Sequence, residues 1–115
     1  MLFPLALVFI ALGLLQIGLA LPLIGRRVPP NAFYGYRVRQ TLTNPDLWYP
    51  VNEYAGRLLA LVGVVGIPLA VIIALVPGMR PETYALAMCA IFVAGAMVAT
   101  LLGWRYLRQL TQERA

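Results

Sequence analysis

The sequence predicts an all-α membrane protein: three transmembrane helices, with a long, partly ordered cytoplasmic loop between helices 1 and 2. Three observations predict it. The 115 residues are 62% hydrophobic and 11% charged, against about 45–50% and about 25% in soluble domains, so the chain has too little polar surface to cover a core in water. Three uncharged stretches reach the roughly 20 apolar residues that a helical span needs. Arginine, glycine or proline bounds every one of them.

The first span covers about residues 2–25 and ends at Gly25-Arg26-Arg27. A signal peptide is its rival, but the segment has no basic start and its apolar run exceeds the usual 7–15 residues, roughly. It is read as a retained helix. Gln16 is its only strongly polar side chain, and a hydrogen bond to a neighbouring helix is the role expected of it.

Residues 26 to about 53 form the expected cytoplasmic cap. Its aromatics, prolines and interleaved Arg and Asn give it apolar surface with which to fold onto the membrane face. Within it, Asn44-Pro45-Asp46 reads as a helix start: an N-cap, a proline at the first helical position, and an acid at the positive end of the dipole. Pro50 is expected to interrupt or kink that helix before the second span.

The second span covers about residues 58–76. Trp48, Asn52 and Gly56 recur every four residues at its entry, with Gly63 and Gly66 further on, which puts small residues on one face where a neighbouring backbone can approach. Pro68 is expected to kink it. Pro77 to Pro81 then makes a tight hairpin around Gly78. The third span covers about residues 84–104 and carries small residues four apart: Ala90 and Ala94, Ala96 and Thr100, Ala99 and Gly103. Packing inside one bundle and a homo-oligomer contact both remain open for these stripes.

Charge sets the orientation. All nine basic residues are Arg, and eight of them (Arg26, Arg27, Arg37, Arg39, Arg57, Arg105, Arg108 and Arg114) fall on the side shared by the cap and the C-terminal tail. Short cytoplasmic loops carry the basic excess, so the chain is expected in the bacterial cytoplasmic membrane with its N-terminus outside and C-terminus inside. Phe33, Tyr34, Tyr36, Trp48, Tyr49, Tyr54, Trp104 and Tyr106 flank the same helix ends, as an aromatic belt would. Glu53 and Arg57 make an i,i+4 pair, either exposed or joined with Arg37, Arg39 and Asp46 in a charge network. The excess guanidinium groups suit anionic lipid headgroups or a partner's carboxylates.

The absence of His and Lys excludes a histidine triad, a zinc–histidine site, a Schiff-base lysine and a P-loop. The lone Cys89 is read as inert. No spanning segment contains a charged residue, which weighs against a proton-coupled pump. Glu53, Asp46 and the tyrosines are the only acid/base candidates, without a nucleophile–base pair, so the chain is expected not to be an enzyme and to need no metal or cofactor.

Pro30-Asn31-Ala32-Phe33-Tyr34-Gly35-Tyr36-Arg37, then Thr41-Leu42, Trp48-Tyr49 and Asn52 with Ala55-Gly56-Arg57, resemble the SdpI/YfhL family of small bacterial membrane proteins. That signature is an Asn followed by Gly-x-Arg-Thr, a Thr-Leu, a Trp, and an Asn or His before a Gly heading a helix. Val38 departs from it, standing where Thr is usual. Longer members have further helices, so the chain looks like a minimal three-helix module. The resemblance implies immunity to, or sensing of, a membrane-active peptide toxin. It singles out Asn31, Gly35, Arg37, Thr41, Trp48, Asn52 and Gly56 as the characteristic cluster, serving a ligand or only the fold of the cap. Expected partners are membrane lipids with anionic headgroups, a hydrophobic peptide toxin and a second copy of the chain, but no nucleic acid. The competing reading is a small oligomeric transporter or channel, or a lipid-binding membrane protein.

Overall fold

A computed structural model of the chain describes residues 2–31 and 35–114. The aromatic-belt roles expected of Phe33 and Tyr34, and the Arg114 side chain, lie outside what is described. Among the described residues the regular structure is all helical, with no strand: α1 spans Phe3–Ile24, α2 Arg39–Thr43, α3 Pro45–Ala74 and α4 Pro81–Arg114. Helices α1, α3 and α4 are each long and apolar enough to cross a membrane.

α1 begins with proline in its first turn, where a missing N–H is harmless. It ends as Gly25 N–H bonds back to the Leu21 carbonyl at 2.9 Å and Arg26 turns the chain at φ 56°, the left-handed conformation that commonly closes helices. α3 starts where the sequence places a start: the Asn44 side chain accepts from the Asp46 N–H at 3.0 Å, with Pro45 in the first turn.

The expected long loop is not what the structure shows. The helix beginning at Pro45 runs without interruption through Pro50 to Ala74, and only Asn44 separates it from α2. Residues 45–53 are therefore a helical extension of the second span, and the connection after α1 is shorter and partly helical. Pro50 does not interrupt because it sits only one turn from the helix start. The carbonyl it leaves without a donor is that of Asp46, an exposed residue whose backbone water can satisfy.

α3 lies between α1 and α4, and these two meet mainly through aromatic side chains at the hairpin end, where Phe9 packs on Tyr84 and Phe92. Glycine sets the spacing. A Cβ on Gly63 would stand 2.8 Å from the Gly13 carbonyl oxygen, and one on Gly56 3.2 Å from that of Ala20, so α1 and α3 meet backbone to backbone. On the other face, the Phe92 ring fills the space over Gly66 and Val62 that over Gly95. Of the small pairs expected on the third span, only Ala99 and Gly103 are buried, whereas Ala90, Ala94, Ala96 and Thr100 remain exposed. Gln16 reaches α3, donating to the Leu59 carbonyl at 2.8 Å.

Two cores result. At the hairpin end, Phe9 packs edge-on against Tyr84 at 5.8 Å among Ala6, Ala70, Met88 and Phe92, and the Tyr84 hydroxyl donates to the Ala70 carbonyl at 2.8 Å. At the arginine-rich end, Leu47, Val51 and Leu107 form a second core with Tyr36, Val38, Tyr106 and Leu110 against it. This second core follows from length. The 34 residues of α4 extend about 51 Å at 1.5 Å each, well beyond a hydrocarbon layer of about 30 Å. The surplus of α3 and α4 projects together and packs. Large apolar side chains left exposed along the spans, such as Leu15, Leu61, Leu86 and Leu101, would be a liability in water and suit lipid.

Candidate functional site

Residues 26–31 and 35–44 fold down over the arginine-rich end of α3, and Trp48 holds them there. Trp48 is wholly buried, and its indole N–H donates to the Val28 carbonyl at 2.7 Å. One turn on, buried Asn52 clamps the loop from below. Its Nδ2 donates to the Trp48 carbonyl at 2.9 Å, and its Oδ1 accepts the Tyr36 backbone N–H. Gly35 is required at this point: its φ is +114°, and a Cβ would lie 2.7 Å from Asn52 Oδ1 and 3.1 Å from the Trp48 ring. Thr41, also fully buried, accepts the Val38 N–H at 3.0 Å and donates to the Tyr36 carbonyl at 2.8 Å, which fixes the first turn of α2. The Thr41 hydroxyl thus serves the backbone of Val38, whose own side chain cannot.

Four residues of the expected cluster, Gly35, Thr41, Trp48 and Asn52, therefore form one interlocked unit. Gly56 lies a turn further along and serves the contact with α1. Asn31 donates to the Pro29 carbonyl at 2.8 Å, and Arg37 is exposed beside Tyr36.

The i,i+4 pair expected of Glu53 and Arg57 is present, and a second arginine joins it. Glu53 is shared by Arg57 at 3.8 Å and Arg26 at 3.2 Å. Arg39 and Asp46 lie outside this trio, on the exposed side of α2 and the first turn of α3. Arg26 reaches Glu53 because the chain leaving α1 passes directly beside α3.

Tyr36 is the residue that sequence reasoning noticed only as an interfacial aromatic. Its backbone is held by Asn52 and Thr41, its ring covers Gly103, and its hydroxyl donates to the Thr100 carbonyl of α4 at 2.9 Å. It thus links the loop to a helix 64 residues away. Burial raises the Tyr36 hydroxyl above its ordinary pKa, so it remains a donor. The one available signal was its position after a glycine.

Beneath this cap, in the gap between α1 and α4, is a cleft of about 320 Å³, at the small end of ligand sites, which run from about 300 to 1,000 Å³. Leu19, Ala20 and Leu23 of α1 and Ala55 and Leu59 of α3 supply apolar walls. Gln16, Asn52, Tyr36 and Thr100 add polar groups. Such a lining can hold an apolar group carrying a hydrogen-bonding function. It offers no nucleophile–base pair.

Comparison with curated proteins and with solved structures finds no match. The model of one family, the SdpI/YfhL protein family, matches residues 27–106. That stretch begins at the turn out of α1 and takes in the whole cap, α3 and the spanning part of α4. On that match, the chain is a multi-pass membrane protein and belongs to the SdpI/YfhL family.

Proposed function

We propose that this protein acts without catalysis, as an immunity-type protein that protects the bacterial cytoplasmic membrane by capturing a membrane-active peptide. The cap faces the cytoplasm in this reading, because eight of the nine arginines lie at that end. The observation that carries the proposal is the cleft between α1 and α4. It combines apolar walls with Gln16, Asn52, Tyr36 and Thr100, and α1 and α4, packed together through Phe9 and Phe92 at the hairpin end, leave it open between them nearer the cap, so a hydrophobic peptide already in the bilayer can enter from the side. A buried amide, that of Asn52, with the accessible hydroxyls of Tyr36 and Thr100 in an apolar wall suits a peptide side chain or backbone group. Family membership agrees with a membrane role of this kind.

The test is survival of a sensitive bacterial strain exposed to a membrane-active killing peptide while expressing the wild type, Leu19→Phe, Thr100→Phe or Arg37→Ala at matched abundance. Leu19 and Thr100 line the cleft and are exposed, so a larger ring fills the space without overpacking the bundle. The two cleft-filling variants are expected to lose protection, and Arg37→Ala to lose it if the cap surface also contacts the peptide. Full protection by both cleft-filling variants, or none by the wild type across several such peptides, would overturn the proposal.

A further inference from the structure

Where α4 leaves its apolar stretch, its sequence runs Trp104-Arg105 and continues with Arg108, Gln109 and Gln112. These residues line a concavity of about 460 Å³, and a second of about 340 Å³ adjoins it on the other side of Arg108, walled by Gln40 of α2. Trp104, Arg105 and Arg108 are all exposed. We infer that this face of α4 is a binding site for the headgroup of an anionic phospholipid, separate from the cleft and independent of the peptide-capture reading.

Depth supports it. At a rise of about 1.5 Å per residue, the Arg108 backbone stands about 6 Å beyond Trp104. The headgroup layer on each side of the hydrocarbon is about 5–7 Å thick. Trp104 then sits at the acyl boundary, where indole is favoured, while the two guanidinium groups and Gln112 lie at and just beyond the phosphates. Charge supports it independently. Glu53 offsets Arg26 and Arg57, but neither Arg105 nor Arg108 has a carboxylate partner among the described residues. A zwitterionic lipid would bring its own ammonium group against two uncompensated guanidinium groups, whereas a headgroup with a phosphate and no cation would not. Arginine also binds phosphate oxygens bidentately.

The experiment is native mass spectrometry of the detergent-purified full chain with dioleoyl phosphatidylglycerol or dioleoyl phosphatidylcholine. Each cationic side chain near an anionic surface changes affinity about five- to sixfold. The double variant R105Q/R108Q should therefore lose about 30-fold in phosphatidylglycerol affinity, while phosphatidylcholine binding stays unchanged. R80Q, which alters a charge at the opposite end, should behave as wild type. Equal binding of the two lipids by the wild type, or an unaltered preference in R105Q/R108Q, would refute the site. An equal loss in R80Q would show a diffuse charge effect, and displacement by inorganic phosphate at lipid concentrations would show a soluble anion as the ligand. Either result also overturns the inference.

Discussion

Replacing Gly35 with alanine tests whether the cap is held by one interlocked unit. Two effects act at this position. The backbone at φ +114° is a conformation that costs about 1–3 kcal/mol for a residue with a Cβ. The added carbon would also stand 2.7 Å from Asn52 Oδ1 and 3.1 Å from Trp48 Cη2. Neither neighbour can retreat freely, since Asn52 is held between Tyr36 and the Trp48 carbonyl, and Trp48 between Asn52 and Val28. Overpacking of this kind costs about 1–3 kcal/mol, so the sum is about 2–6 kcal/mol.

Two other glycines separate these effects. Gly78 has φ +76° with nothing near its would-be Cβ, so Gly78→Ala carries strain alone, about 1–2 kcal/mol. Gly18 lies in a helix with open space around it, and Gly18→Ala should be neutral or stabilise by up to about 1 kcal/mol. The readout for the cap is acrylamide quenching of Trp48 fluorescence in a Trp104→Phe background, because Trp48 is fully buried while the cap is closed. Thermal unfolding in detergent ranks the stability of all three variants. Gly35→Ala should expose Trp48, and the stability order should be Gly18→Ala, wild type, Gly78→Ala, Gly35→Ala. A Gly35→Ala protein with Trp48 still shielded and stability equal to that of Gly78→Ala would refute the interlock.

Tyr36→Phe removes the hydrogen bond to the Thr100 carbonyl and should weaken cap closure by about 0.5–1.5 kcal/mol, read by the same quenching assay. Burial raises the folded-state pKa of Tyr36, so its contribution is complete below the ordinary tyrosine pKa and is lost as pH rises through the higher folded value. Trp48 should therefore stay shielded through neutral pH and open only at strongly alkaline pH. The alkaline transition should shift or disappear in Tyr36→Phe, and an identical transition there would assign it to another group. Gly63→Ala presses a Cβ against the Gly13 carbonyl and Ile17 and should destabilise the α1–α3 contact by about 1–3 kcal/mol in detergent unfolding. An unchanged midpoint would show that these helices separate easily. Glu53→Gln releases Arg26 and Arg57 from a half-exposed carboxylate and should cost under about 1 kcal/mol, less in high salt. A larger, salt-independent loss would mean that the trio is shielded from water.

Glu53 and Tyr36 show why part of the candidate site was legible and part was not. Gly35, Thr41, Trp48 and Asn52 were identifiable because their order along the chain carries the family signature. Trp48 and Asn52 are also four residues apart, so any helix through them presents both on one face. Arg57 was identifiable as a partner of Glu53 from its i,i+4 spacing, but the second partner was not. Coulomb attraction does not distinguish Arg26 from Arg39, and the path of the chain after α1 decides which one arrives. The role of Tyr36 depends on Thr100, far along the chain, and no local periodicity encodes such a pair. Pro50 misled because the cost of an internal proline depends on whether the carbonyl it orphans is buried, and that carbonyl belongs to an exposed first turn.

By itself the sequence determined that the chain holds three helices long and apolar enough to cross a membrane, and where α3 starts. In lipid a backbone must satisfy its own hydrogen bonds, so the length of an uncharged apolar run settles whether it crosses. The N-cap and first-turn proline act within a few residues. Tertiary structure alone decided that α3 runs on from the cap into the membrane, that the cap is tied to α4 through Tyr36, and that a cleft opens between α1 and α4. Those outcomes depend on how closely glycines let neighbouring helices approach and on which groups far apart in the chain meet, and neither is a local property of the residues concerned.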